Sequence, residues 1–419
     1  MELDLGDPRV LLRDDVLDDP RPFHDQLRAE APIWQIPGQD TYVISDPALI
    51  REVVGRPGDF SSNLVSLLHD DGTGRPVPFA MAPYRDPIHV LSTADPPLHT
   101  RHRKLLLPFL NPAAVARLER DIRDIVDELL QPLLDTRGGD AVAAFTDRVP
   151  ARTICRVIGL PPEEDGRVTA FAAGTSPLLD GITDADGMQR AMTSAMELGI
   201  YVHERVEAAL ASPATRFGVL SVFGDAIEAG TITVGDACNI LVVFVTAGSE
   251  TTASLLATAV ETLARDRARQ DRLRNDPDAV PHAIEEILRA DGPFQFHYRY
   301  TPAATALGGM TIPAESRVML MWAAANRPWP GDADSGHDAD AGHGSDSGTD
   351  PDLVSHFGFG SGLHFCIGAP LARLEARVAI TRLLERTSSI ALDPESPPTR
   401  RPSIFIRRHA SLPVVVEPR

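Results

Sequence analysis

Cysteine is scarce in this chain: three occur in 419 residues, Cys155, Cys238 and Cys366, and none lies near another. That spacing excludes a disulfide framework, a zinc-chelating pair and an iron–sulfur cluster, and it suits a reducing interior. Long apolar runs are missing too. The longest, Ile240 to Gly248, falls far short of the roughly 20 residues that span a bilayer. The start, MELDLGDPRV, is acidic and lacks the apolar core of a signal peptide. These absences predict a cytoplasmic protein with no membrane partner. Basic charge is in deficit, with a formal net charge of −19, which excludes general nucleic-acid binding.

What is present is an apolar fraction of 43%, enough for a substantial core. No internal repeat or linker divides the chain, so residues 1–419 read as a single large domain. A short helix is predicted over Arg21 to Glu30, strands over Ile33 to Ile36 and Thr41 to Ile44, and a helix from near Asp46. Residues 61 to 95 are rich in Pro, Gly and Asp and read as one long loop. Helical spacing then dominates, with runs at about 113–134, 140–158, 163–173, 186–211, 216–229, 233–266, 268–275 and 279–290. After Pro293, strand-like segments return at Phe296–Thr301, Gly308–Ile312 and Arg317–Trp322, and again at Ile404–Ile406 and Leu412–Val416. The class is mainly α with small β-sheets. The segment Gly331–Asp350 carries six Asp and no Lys or Arg and has no hydrophobic period. It is expected to be a flexible acidic surface insertion. Its His337 and His343, beside those aspartates, offer at most a weak divalent-ion site.

Cys366 stands in HFGFGSGLHFCIGAPLARLEARVA. Glycines lead to the thiol, and Gly368 and Pro370 open an amphipathic run from Leu371 to Leu384. A thiol just before a helix N-terminus meets unpaired N–H groups and the positive end of the dipole, both favouring thiolate. The glycines let the backbone pass close to something flat. The combination suits a soft metal ligand. Elsewhere, the run Thr233 to Asp266 is apolar nearly all round at its centre, yet Ala247-Gly248-Ser249-Glu250-Thr251-Thr252 interrupts it. Buried carboxylates and hydroxyls must be satisfied or used. Thr251 can bond back to a carbonyl one turn earlier and open the helical ladder there.

Phe359, Gly360, Gly362, His364, Cys366 and Gly368 together resemble the haem-binding loop of the cytochrome P-450 family, and the resemblance extends over essentially the whole chain. It implies a soluble, bacterial-type fold binding haem b, with Cys366 as axial ligand of the iron and Phe359, Gly360, Gly368, Ala247 and Gly248 against the porphyrin. It assigns a haem carboxylate to His99 and Arg103, another to Arg299, and His364 to the same group. Thr251 and Glu250 would handle protons beside iron-bound dioxygen, a relay apt for two-proton chemistry. Glu286 and Arg289 match the family's structural ion pair behind the haem. The aromatic-Asp-x-x-Arg stretch that normally packs against that pair is replaced here by the acidic insertion.

The family's activity would be insertion of one oxygen atom from dioxygen into an apolar organic substrate. Contacts with that substrate are expected from Val90, Val243, Phe244, Phe294, Phe296 and Phe405, with Met81, Ile88, Gln295 and Ile404 nearby. The chain has no fused reductase, so electrons would come from a ferredoxin and an NAD(P)H-dependent reductase. Arg101, Arg103, Lys104, Arg373 and Arg377 form a candidate docking patch. Two other readings stay open. One is a peroxide-driven, ring-forming or coupling enzyme of the same fold; the other is a non-catalytic haem-thiolate ligand-binding or sensor protein.

Overall fold

The computed structural model describes residues 3–80, 89–214, 216–328 and 355–419. Its axis is one unbroken helix, Val234–Arg265, started by a capping box in which Thr233 and Asp236 exchange hydrogen bonds. By length and composition this helix would cross a membrane, but 67% of its most apolar window is buried inside the protein. It is a core helix. Helices Arg148–Ile158, Asp165–Thr175 and Ala185–Ala211 pack along it, and so does the cysteine-loop helix Ala369–Arg386. Leu241, Val245, Leu255, Leu256 and Val260 bury their side chains in the resulting core.

A four-stranded sheet stands to one side, in the order Ile33–Gln35, Thr41–Ile44, Arg317–Leu320, His297–Tyr300. Its second and third strands run parallel, and the outer pairs are antiparallel. This sheet fixes the alternation that aims His297 and Arg299 to one face and Tyr298 to the other.

Several expectations are corrected. Residues 61–95 are not one loop. Ser66–Asp70 and Pro76–Ala80 pair as an antiparallel hairpin, while Met81 to Ile88 lie outside the described residues. Pro76 and Pro78 disguised its second strand, because proline is tolerated in a two-stranded edge ribbon but reads as a breaker. The C-terminal strands Thr387–Leu392, Thr399–Arg401 and Arg408–Ser411 carried no clear period and were not expected. Ile404–Ile406 is no strand and contributes only a bridge between Ile406 and Phe294. The acidic segment 331–350, with His337 and His343, falls outside the described residues.

Candidate active site

The cysteine loop is shaped by two left-handed glycines, Gly360 at φ +71° and Gly362 at φ +68°, a conformation costly for any other residue. The Cys366 N–H donates to the Phe359 carbonyl at 3.0 Å. Gly368 adjoins the thiol: an added Cβ there would stand in ordinary contact with the Cys366 Sγ, at 3.8 Å. Cys366 presents open surface although it sits deep in the fold, so that surface faces an internal cavity. The expected lowering of its pKa does not prevail. Burial pushes the thiol up, against the opposing N–H groups of Gly368 and Ala369 and the charges of Arg103 and Arg373. A bound cation would reverse that balance, since coordination deprotonates a thiol.

Four basic side chains converge beside the loop. The His99 and His364 rings lie 4.2 Å apart, and Arg103 donates to the Phe365 carbonyl at 2.9 Å. Arg299 is buried and, among the described residues, donates only to the Tyr298 carbonyl, at 2.7 Å. Among the described residues none of the four forms an ion pair with a carboxylate. Both Nδ1 atoms of the paired histidines are buried without a partner. Ser62 Oγ meets His364 Nε2 at 2.9 Å. Burial, with neighbouring positive charge second, lowers His364 to about 3 and His99 to about 4. Burial brings Arg299 down to about 10. Asp95 acts on Arg299 and His99 through space but pairs with none of the four, so the two guanidinium groups leave an excess of positive charge. The two carboxylates of a porphyrin would balance it, so the residues fit haem.

The third wall is the central helix. Its buried middle opens along one stripe: Val243 is half-buried, Ala247 exposed and Thr251 half-buried, at successive i,i+4 positions. That stripe is accessible although the helix around it is buried. Thr251 Oγ1 donates to the Ala247 carbonyl at 2.8 Å, as expected, yet the helix continues without a break. Gly248 also has a packing reason: a Cβ there would come 2.5 Å from Ile154 Cδ1, so its bare backbone seats the Arg148–Ile158 helix.

Glu250 is buried, and its partner was not evident in sequence. Arg408, from the strand Arg408–Ser411, reaches Glu250 Oε1 at 2.5 Å and Asp147 Oδ2 at 2.6 Å. Burial outweighs that pairing and pushes Glu250 up to about 7, with nearby Asp180 also raising it. Asp180 is itself pushed up to about 6 by burial. Two of these acids, Glu250 and Asp147, share the Arg408 guanidinium, which lowers their proton affinity, while burial of all three outweighs it and raises the proton affinity of each. A single charged tail, Arg407-Arg408-His409, was the only sequence trace of this cluster.

The expected Glu286–Arg289 ion pair does not form among the described residues. Glu286 is half-exposed and reaches Arg269 at 3.4 Å. The buried acid is its neighbour, Glu285, which takes two hydrogen bonds from Arg373, each 2.8 Å, and contacts His356 at 2.9 Å. Arg373 in turn lies 4.4 Å over the Phe359 ring. The brace behind the cysteine loop thus runs from Glu285 through Arg373 to Phe359. Of the expected docking patch, Arg373 and Arg377 are held by Glu285 and Glu119 and Arg103 turns inward. Arg101 and Lys104 remain exposed.

Of the expected substrate contacts, Phe294 is half-buried and meets Phe405 edge-on, with ring centroids 5.1 Å apart. Phe296 has no accessible surface and is a core residue packed on Tyr298 and Phe405. Val90 and Phe244 are also largely covered, at 3% and 7% exposure. Alternation along the strand explains the correction for Phe296, because its side chain points to the sheet face opposite His297.

The profile of the family described as Cytochrome P450 matches residues 220–410. Among curated proteins, the chain is 34% identical over 400 residues to cytochrome P450 144 of Mycobacterium tuberculosis, covering 95% of this chain and 89% of that one. It is 30% identical to the beta-dihydromenaquinone-9 omega-hydroxylase of the same organism, over 96% and 77% of the two chains. Among solved structures, CalO2 superposes with a TM-score of 0.79 at 26% identity, over 98% of each chain. An accessible buried thiol, an anion-deficient basic cluster and relatives of this extent lead to one conclusion: the chain belongs to the cytochrome P450 family, oxidoreductases of the monooxygenase class.

Proposed function

We propose that the protein binds haem b through Cys366 and oxygenates an apolar organic substrate, with electrons delivered by a separate ferredoxin and its NAD(P)H-dependent reductase. The observation that carries this reading is the cluster of His99, Arg103, Arg299 and His364, which forms no ion pair among the described residues, beside an accessible thiol. Bound there, haem supplies dioxygen activation and transfer of one oxygen atom to a C–H or C=C bond.

The chain's own residues do the rest. Arg103 and Arg299 hold carboxylates as fixed guanidinium forks, and the paired histidines add neutral N–H donors. Thr251 Oγ stands on the open stripe, where it can present a proton to a group in the cavity. Glu250 holds a proton at its carboxyl near neutral pH and can resupply that hydroxyl, while Arg408 keeps the carboxylate oriented after the proton leaves. Val243 and Phe294 keep the cavity apolar, which favours a terpenoid, polyketide, steroid or fatty acyl skeleton over a small polar one.

The test is the reduced, carbon-monoxide-bound spectrum of the haem-loaded protein. A thiolate-type Soret band that disappears in Cys366→Ala is expected. Its absence from the parent protein, or its survival in that variant, overturns the reading.

A further inference from the structure

His297 opens the strand that also carries Arg299, and it is not among the residues the fold's chemistry has so far used. Strand alternation puts the 297 and 299 side chains on the same face, two residues and about 7 Å apart. The Trp322 indole N–H donates to His297 Nδ1 at 2.7 Å. Indole nitrogen is a donor only, so Nδ1 must be the bare, accepting nitrogen. Trp322 is in turn immobilised: it is 3% exposed and stacks on Phe357 with ring centroids 5.8 Å apart. The imidazole is neutral, because burial, with Arg299 second, lowers it to about 3. The single ring proton therefore sits on Nε2.

Nδ1 and Nε2 point in divergent directions, so Nε2–H is aimed away from Trp322. Among the described residues no hydrogen bond reaches it. Phe294 and Phe405 flank the ring at 4.6 and 5.8 Å and offer it no acceptor. The result is one donor, fixed in tautomer and direction, within an otherwise aromatic lining.

We propose that His297 is a specificity-determining hydrogen-bond donor for an oxygen acceptor, carbonyl or carboxylate, brought into the cavity, and that Trp322 is its positioning residue. This rests on the haem-binding reading given above. The acceptor comes either from the substrate or from a porphyrin carboxylate, since Arg299 and His364 lie near enough to act on the same region.

The experiment uses the haem-loaded protein and His297→Phe, His297→Gln and Trp322→Phe. Each variant is first checked for the thiolate-type carbon-monoxide spectrum, so a failure here is separable from a failure of Cys366 ligation. One arm measures transfer of haem to excess apomyoglobin. The other compares affinity for 4-phenylimidazole, which coordinates iron by itself, with that for 4-(4-acetylphenyl)imidazole, which adds one carbonyl. If a porphyrin carboxylate is the acceptor, haem loss in His297→Phe rises about 10- to 100-fold. If a ligand oxygen is the acceptor, haem loss is unchanged and selectivity for the acetyl compound falls about 5-fold. In either case His297→Gln, which keeps an N–H donor, recovers most of the effect, and Trp322→Phe shows part of it. Unchanged haem loss together with unchanged selectivity in His297→Phe overturns the proposal. A full effect in His297→Phe with none in Trp322→Phe overturns the positioning role.

Discussion

Removing the charge of Glu285 tests whether the cysteine loop is braced as the geometry indicates. The carboxylate is 4% exposed, receives a two-pronged hydrogen bond from Arg373 and meets His356. Burial alone would raise its pKa. The hydrogen bonds and charges of Arg373 and His356 prevail and hold it at about 2, against an ordinary 4.5. At 1.36 kcal/mol per unit that gap corresponds to about 3 kcal/mol. Arg373 is 30% exposed, and screening at that end reduces the figure to roughly 2 kcal/mol. The sign follows from the depressed pKa: the contribution is complete above about pH 4.5 and is lost as pH falls toward 2. Glu285→Gln should therefore lower the urea unfolding free energy at pH 7 by about 2–3 kcal/mol. The difference from the parent should shrink below pH 4. Haem should also leave faster, because Arg373 no longer has a fixed seat over Phe359. Glu286→Gln, at a half-exposed and weakly paired site, should stay within about 0.5 kcal/mol of the parent. Equal stability of Glu285→Gln and the parent across this pH range would refute the brace, as would a larger loss in Glu286→Gln.

The remaining expectations concern protons and electrons. Glu250, raised to about 7, holds its proton below that pH and loses it above. Product formation per NAD(P)H should decline on the alkaline side of neutrality, and Glu250→Gln should lower turnover while flattening that limb; an unaltered profile rules Glu250 out of proton supply. Thr251→Ala should reduce dioxygen-dependent product by about 100-fold while leaving hydrogen peroxide-supported turnover largely intact. Undiminished dioxygen-dependent product in that variant would remove Thr251 from the relay. Lys104→Glu should slow reduction by a separate ferredoxin and weaken its dependence on ionic strength. Stopped-flow rates that match the parent at all salt concentrations would exclude Lys104 from the docking face.

The cysteine loop was legible because all its determinants are local: glycines where φ is positive, a thiol, and a helix start within a dozen residues. The central helix was equally plain, since Thr233 and Asp236 announce its N-terminus and its apolar length leaves no other element. The brace was misread by one residue for a physical reason. Glu285 and Glu286 flank opposite sides of the stripe formed by Val280, Ala283, Ile284, Ile287 and Leu288, about equally far from its centre, so helical phase favours neither. Which one is buried depends on the approach of Arg373 from a helix 88 positions away. Arg408 was hidden likewise, because its partners Glu250 and Asp147 lie 158 and 261 positions distant. The hairpin at 66–80 was obscured by prolines that a ribbon edge tolerates. Local chemistry could be read from sequence; the counter-ions that tune it come from tertiary packing.

The contact between Gly248 and Ile154 puts one control of cavity shape outside the cavity. Ile154 occupies the volume where a side chain at 248 would stand, so the helix bearing Thr251 leans directly on its neighbour. A bulkier residue at 154 would tilt that wall inward, and a smaller one would let it settle back, with every lining residue unchanged. Selectivity among substrates can thus drift through substitutions in a supporting helix that never meets them.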